Sequence, residues 1–144
     1  MTFAGINYWA VILATVAAFL FGGLWYGMLG RQWMAAANLE RADMNESRNG
    51  PSAVPFVVAF IAQLVMAAML AGVIGHLGRE HVTLRSGVVS GFFIWAGFIL
   101  TAIVVNHAFQ GAKRMLTVID AGHWLGVMLI QGAIIGWMGV PHTA

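Results

Sequence analysis

Charge is absent from most of this chain, and where it is absent decides the solvent in which the chain can fold. All twelve Asp, Glu, Lys and Arg side chains lie within residues 31–48, 79–85 and 113–120. The stretches 1–30, 49–78, 86–112 and 121–144 carry none. An α-helix rises about 1.5 Å per residue, so about 20 apolar residues cross the hydrocarbon core of a bilayer. Each uncharged stretch is long enough to do so. The pattern predicts an all-α membrane protein, a four-transmembrane-helix bundle with short connections. Helices are expected at about residues 8–29, 54–77, 86–105 and 116–139, within a single integral membrane domain over 1–144.

Composition argues the same way. The 144 residues are 60% hydrophobic and 8% charged, with a mean hydropathy of +0.84. A soluble domain carries about 25% charged residues, and here too little polar surface exists to cover the apolar area in water. The net charge of +2 comes without any basic run, which excludes a nucleic-acid footprint. The absence of cysteine excludes disulfides and thiolate chemistry. No Lys or Arg precedes the first apolar run, which continues to Leu29. That is longer than a signal-peptide core of about 7–15 residues, so an uncleaved first helix is expected.

Aromatic residues bracket the first span: Tyr8 and Trp9 at one end, and Trp25, Tyr26 and Trp33 at the other. They read as interfacial belts. Residues Arg31 to Met44 contain good helix formers, so an interfacial helix along the membrane surface is expected after helix 1. Asn49-Gly50-Pro51 then breaks the chain, with Ser52 as a candidate cap and Pro55 in the first turn of helix 2. A glycosylation sequon stands at Asn45-Glu46-Ser47, relevant only if that connection faces a glycosylating lumen. Connections one and three hold Arg31, Arg41, Arg48, Lys113 and Arg114, against Arg79 and Arg85 on the other side. The positive-inside rule therefore places connections one and three in the cytoplasm and both termini outside.

Glycine occurs 18 times, often at four-residue spacing. Gly23 and Gly27 in helix 1, Gly87 and Gly91 in helix 3, and Gly122 with Gly126 and Gly132 with Gly136 in helix 4 follow this pattern. Ala67, Ala71 and Gly75 repeat it in helix 2. Residues four apart share a face, and small ones let helix backbones approach closely in lipid. These positions are expected to pack the protein's own helices or a subunit interface.

The candidate polar path comprises Gln63, Asn106, His107, Asp120, His123 and Gln131. Asp120 and His123 are three residues apart and share a helix face; Gln131, eleven residues after Asp120, falls near the same face. Ionisable residues inside a span are costly and are functional candidates by default. Three readings compete. Asp120 can pair with Lys113 or Arg114 while His123 bonds a neighbouring helix. His107, Asp120 and His123 can supply metal ligands, although their spacing matches no strong motif. Asp120 and His123 can relay protons. The structural reading is preferred. Gln63 and Gln131 read as interhelical glue. His76, Glu80, His81 and His142 gather loosely on the opposite side. No phosphate loop, nucleophile elbow or zinc-protease helix is present. No enzyme, metal or cofactor is expected.

These residues also carry a resemblance. Asn7 through Trp33, with Gly23-Leu24-Trp25-Tyr26 and Gly30-Arg31-Gln32-Trp33-Met34, is similar to the start of the bacterial domain-of-unknown-function family 1761. Asn106-His107-Ala108-Phe109-Gln110-Gly111, Ile119-Asp120-Ala121-Gly122-His123-Trp124 and Gln131-Gly132-Ala133-Ile134-Ile135-Gly136-Trp137 resemble its last part. The resemblance covers essentially the whole chain and implies a small multi-pass bacterial membrane protein. It brings no activity, substrate or site. In that family Asn is usual where Asp120 stands and Tyr-His where His123-Trp124 stand, which argues against a shared catalytic role for this acid and histidine. The expected function is a non-enzymatic, homo-oligomeric or accessory subunit in the bacterial cytoplasmic (inner) membrane. Its partners would be the lipid bilayer and copies of itself or other membrane subunits. The alternative is a small-molecule, ion or proton transporter or channel.

Overall fold

A computed structural model describes residues 6–38 and 53–140. The chain is an all-α membrane protein with four helices long and apolar enough to cross a bilayer: α1 (Tyr8–Ala36), α2 (Val54–His76), α3 (Leu84–Phe109) and α4 (Arg114–Met138). The sequon, the surface stretch from residue 39 to Met44, the Asn49-Gly50-Pro51 break, Ser52 and His142 lie outside the described residues.

Local signals account for the helix ends. Asn7 caps α1, its side chain accepting a hydrogen bond from the Ala10 amide at 3.2 Å. α1 extends beyond the expected Leu29 through 29 residues, about 43 Å of helix. Its last turns are held by α4, because Trp33 and the Ala35 carbonyl bond to Asp120 and Lys113. The part of the expected interfacial helix from Arg31 to Ala36 is therefore a continuation of α1. Pro55 stands in the first turn of α2, and the N-cap is Ala53, without a side-chain bond. A short 3₁₀ turn, Arg79–His81, follows. α3 begins two residues earlier than Ser86, because Thr83 and Ser86 form a reciprocal capping box at 3.2 and 3.0 Å. At mid-length α3 loosens into a π-helical turn, Trp95–Ile99, closed by the Leu100 amide on the Trp95 carbonyl. α4 ends at Gly139, whose φ of 62° suits a residue without a side chain.

α4 is the central helix. It packs most extensively on α3 and α1 and less on α2, while α1 also packs on α2. The α3–α4 seam is built from glycines. A Cβ on Gly87 would collide with the Gly132 carbonyl, one on Gly132 with the Gly87 carbonyl, and one on Gly136 with the Thr83 carbonyl. A Cβ on Gly91 would lie 2.5 Å from the Met128 carbonyl oxygen. These two backbones touch, as the four-residue spacing predicts. Ala67 and Ala71 are buried in an apolar cluster with Ala10, Val11, Ala14, Leu70, Ile74, Met128 and Ile135. Gly122 and Gly126 give room to the rings of Trp25 and Phe21.

Three of the expected packing residues do not pack internally. Gly23, Gly27 and Gly75 are exposed, and a Cβ at any of them would meet nothing within 4 Å. Spacing defines a face but not the direction in which it points. The glycine of α1 that does face inward is Gly22.

Candidate functional site

The polar residues converge around Asp120, in the second turn of α4. Tyr26 and Trp33 are seven residues apart on α1, so they share a face. The Tyr26 hydroxyl and the Trp33 indole N–H each donate to Asp120 Oδ1 at 2.9 Å. Their rings meet edge to face at 5.9 Å. From α3, His107 Nε2 approaches Asp120 Oδ2 at 3.7 Å, and its other nitrogen, Nδ1, lies 2.9 Å from Thr117 Oγ1. Two further indoles grip the backbone beside Asp120. Trp25 donates to the Ile119 carbonyl at 3.1 Å, and Trp95 donates to the Ala121 carbonyl at 2.9 Å. Lys113 Nζ donates to the Ala35 carbonyl at 2.8 Å. The expected pairing of Asp120 with Lys113 or Arg114 is thus replaced by aromatic donors and His107.

One turn further in, the His123 ring is 5% exposed. It lies parallel to Phe21 at 6.2 Å and close to Tyr26 and Trp124, each at 4.9 Å. Gly22 makes room for it, because a Cβ there would sit 2.9 Å from His123 Nε2. Neither ring nitrogen has a hydrogen-bond partner, so the expected bond from His123 to a neighbouring helix is not formed. The ring is instead surrounded by Phe21, Tyr26 and Trp124, with Nε2 towards Gly22.

Deeper still, Gln131 Nε2 donates to the backbone carbonyl of Gln63 at 2.9 Å, joining α4 to α2. Both glutamine Oε1 atoms are buried without a partner. Interhelical glue therefore describes one bond of this pair.

Four of the six path residues form two separate clusters. Asp120 and His107 meet at one end, Gln63 and Gln131 meet deeper, and His123 stands near the first without bonding to it. Val127 and Met128, at 0% and 2% exposure, fill α4 between His123 and Gln131. The helical face predicted as a continuous stripe is interrupted there by apolar packing. Asn106 is exposed near the end of α3 and does not join either cluster. On the opposite side, His81 and Glu80 are 3.7 Å apart and exposed, while His76 Nδ1 is 2.9 Å from the Gly72 carbonyl oxygen. Among the described residues no three His, Asp or Glu side chains converge as metal ligands.

Six contributors escaped the sequence reading: Trp25, Tyr26, Trp33, Trp95, Thr117 and Gly22. Tyr8 and Trp9 are 67% and 75% exposed, as belt residues should be. Trp25, Tyr26 and Trp33 belong to the same aromatic flanking pattern but turn inward. The available signal was the seven-residue spacing of Tyr26 and Trp33, together with the rule that a buried indole or phenol needs an acceptor. Asp120 is the acid within helical reach.

Chemically, this arrangement is a clamp. Its carboxylate has one oxygen filled by two donors and the other facing an imidazole. A family model described as a protein of unknown function, DUF1761, matches residues 9–136. No curated protein and no solved structure matches the chain.

Proposed function

Since the chain belongs to the DUF1761 family, whose activity is unknown, we propose from its geometry that it serves as a non-enzymatic, self-associating subunit of the bacterial cytoplasmic membrane. The observation that carries this reading is the outward glycine face of α1. Gly23, Gly27 and Gly30 recur at helical spacing, and each has open space where a Cβ would stand. Glycine in a helix costs about 1 kcal/mol relative to alanine. On α3 and α4 that cost is offset by backbone contact, but on this face no contact among the described residues offsets it. A second copy or another apolar subunit laid against α1 would use the face as the α3–α4 seam is used. The count of five Lys and Arg in connections one and three against two opposite supports cytoplasmic connections and outward termini.

The test is the mass of the protein in mild detergent, with crosslinking in native membranes. Dimers or larger assemblies are expected, and Gly27→Leu should reduce them without lowering the stability of the monomer. A monomer at every concentration, with no crosslinked partner in membranes, would overturn the proposal.

The unpartnered nitrogens of His123 and side-chain Oε1 atoms of Gln63 and Gln131 favour a second reading, a proton, ion or small-molecule path. Val127 and Met128 stand against it. Flux into vesicles that is unchanged by Asp120→Ala and Gln131→Ala would remove it.

A further inference from the structure

Where α3 ends and α4 begins, the two helices leave an open cleft of about 310 Å³ on the outer face of the bundle. That is within the size range of small-molecule sites, about 300–1,000 Å³. Val104 and Ala108 of α3 and Val118 of α4 form its apolar walls, and His107, Arg114 and Thr117 its polar lining. Val104 and Val118 are 47% and 65% exposed, so this surface is the one the surrounding lipid meets.

The polar groups differ in what they have left to offer. Both nitrogens of His107 are engaged, by Thr117 and towards Asp120. Lys113 is spent on the Ala35 carbonyl. Arg114 has no hydrogen-bond or ion-pair partner among the described residues. The cleft thus carries an unpaired guanidinium at the boundary between an apolar wall and the polar connection. Among the described residues no acid lines it, and Asp120 is turned towards Tyr26 and Trp33 behind His107.

We propose that this cleft binds an anionic phospholipid, with Arg114 on the phosphate and Val104, Ala108 and Val118 against the glycerol and upper acyl chain. A guanidinium matches phosphate geometry through paired N–H donors. The apolar walls favour a lipid over free phosphate, which has no surface to bury there. The Arg114 charge, with no acid among the described lining residues, favours an anionic lipid over a zwitterionic one. This site is independent of the glycine face of α1 and of any self-association.

The full-length protein in detergent is titrated with phosphatidylglycerol, phosphatidylcholine and inorganic phosphate, and bound lipid is read by native mass spectrometry. One basic residue at a membrane surface contributes about 1 kcal/mol towards anionic lipid, so Arg114→Gln should weaken phosphatidylglycerol binding about fivefold. Val118→Trp, which fills the cleft from an exposed position and keeps the charge, should weaken it at least as much. Arg31→Gln, an exposed arginine outside the cleft, should leave it unchanged. An equal loss in Arg31→Gln would reduce the effect to general surface charge and overturn the proposal. Equal affinity for phosphatidylcholine, or displacement of the lipid by inorganic phosphate, would also overturn it, as would undiminished binding in both cleft variants.

Discussion

On its α1 side, α4 is reached by side chains: three donors, Trp25, Tyr26 and Trp33, bond to Asp120 and the carbonyl beside it. On its α3 side, it is reached along most of the seam by backbone, glycine against glycine, and beside Asp120 by two side chains, the Trp95 indole and His107. In lipid the hydrophobic effect does little to join helices, so close packing and interhelical hydrogen bonds must supply the association. This bundle puts the close backbone packing on the α3 face of α4 and hydrogen-bonding side chains on both faces. The difference matters most for α3. Of the most apolar 18 residues of each helix, 6% is buried inside the protein in α3 and 44% in α4. α3 has little contact outside the seam, whereas α1 holds α4 through the clamp and also packs on α2. Damage to the seam should therefore be steep and damage to the clamp graded.

The largest effect is expected at the seam. Gly132→Leu would drive a side chain into the Gly87 carbonyl, and a backbone atom cannot step aside as a side chain can. Overpacking of this kind costs about 1–3 kcal/mol, and against backbone the upper end is expected, measurable as a lowered unfolding midpoint in detergent. The same substitution at Gly27, which meets open space, should leave that midpoint nearly unchanged. Equal effects at the two glycines would break the distinction between inward and outward faces.

A smaller effect is expected at the clamp. Asp120→Leu leaves the Tyr26 hydroxyl and the Trp33 N–H without their acceptor, costing about 2 kcal/mol. Asp120→Asn keeps an acceptor oxygen and should cost about 1 kcal/mol or less. Trp33 fluorescence follows the loss directly, because the indole would leave its partner in one variant and keep it in the other. If Asn and Leu destabilised equally, the negative charge itself, rather than the acceptor, would be what the clamp requires.

The smallest effect is expected at Gln131. Gln131→Leu gives up one hydrogen bond to the Gln63 carbonyl and also removes a buried carbonyl oxygen without a partner. Interhelical bonds in membranes average about 0.6 kcal/mol, so stability should change by less than about 1 kcal/mol in either direction. A loss several times larger would show that this pair, and not the clamp, is the main polar tie.

Much of the candidate site was legible residue by residue but not as a set of contacts. His107, Asp120, Gln63 and Gln131 were recognisable as costly residues in apolar spans. Their division into two clusters was not, because Val127 and Met128 are as compatible with a lined path as with a packed plug until the neighbouring helices are in place. Trp25, Tyr26 and Trp33 look like belt aromatics because the same amphipathic ring serves an interface or a buried acceptor. Only the rotation of α1 about its axis separates those uses. Asn106 shows the converse error, a polar residue near the cluster in sequence that points away from it.

The number of spans and their approximate ends follow from the sequence by itself, since the length of an uncharged run is a one-dimensional property and the bilayer measures it directly. The small-residue periodicities are equally readable. Tertiary structure decided which of them face inward: Gly22 rather than Gly23 on α1, and Gly87, Gly91, Gly132 and Gly136 but not Gly27 or Gly75. In water an apolar stripe would have marked the buried side of each helix. Here every side of a span is apolar, so neither lipid nor protein interior imposes a pattern that distinguishes them. The choice of face passes to shape and to a few hydrogen bonds, which take form only when the helices meet.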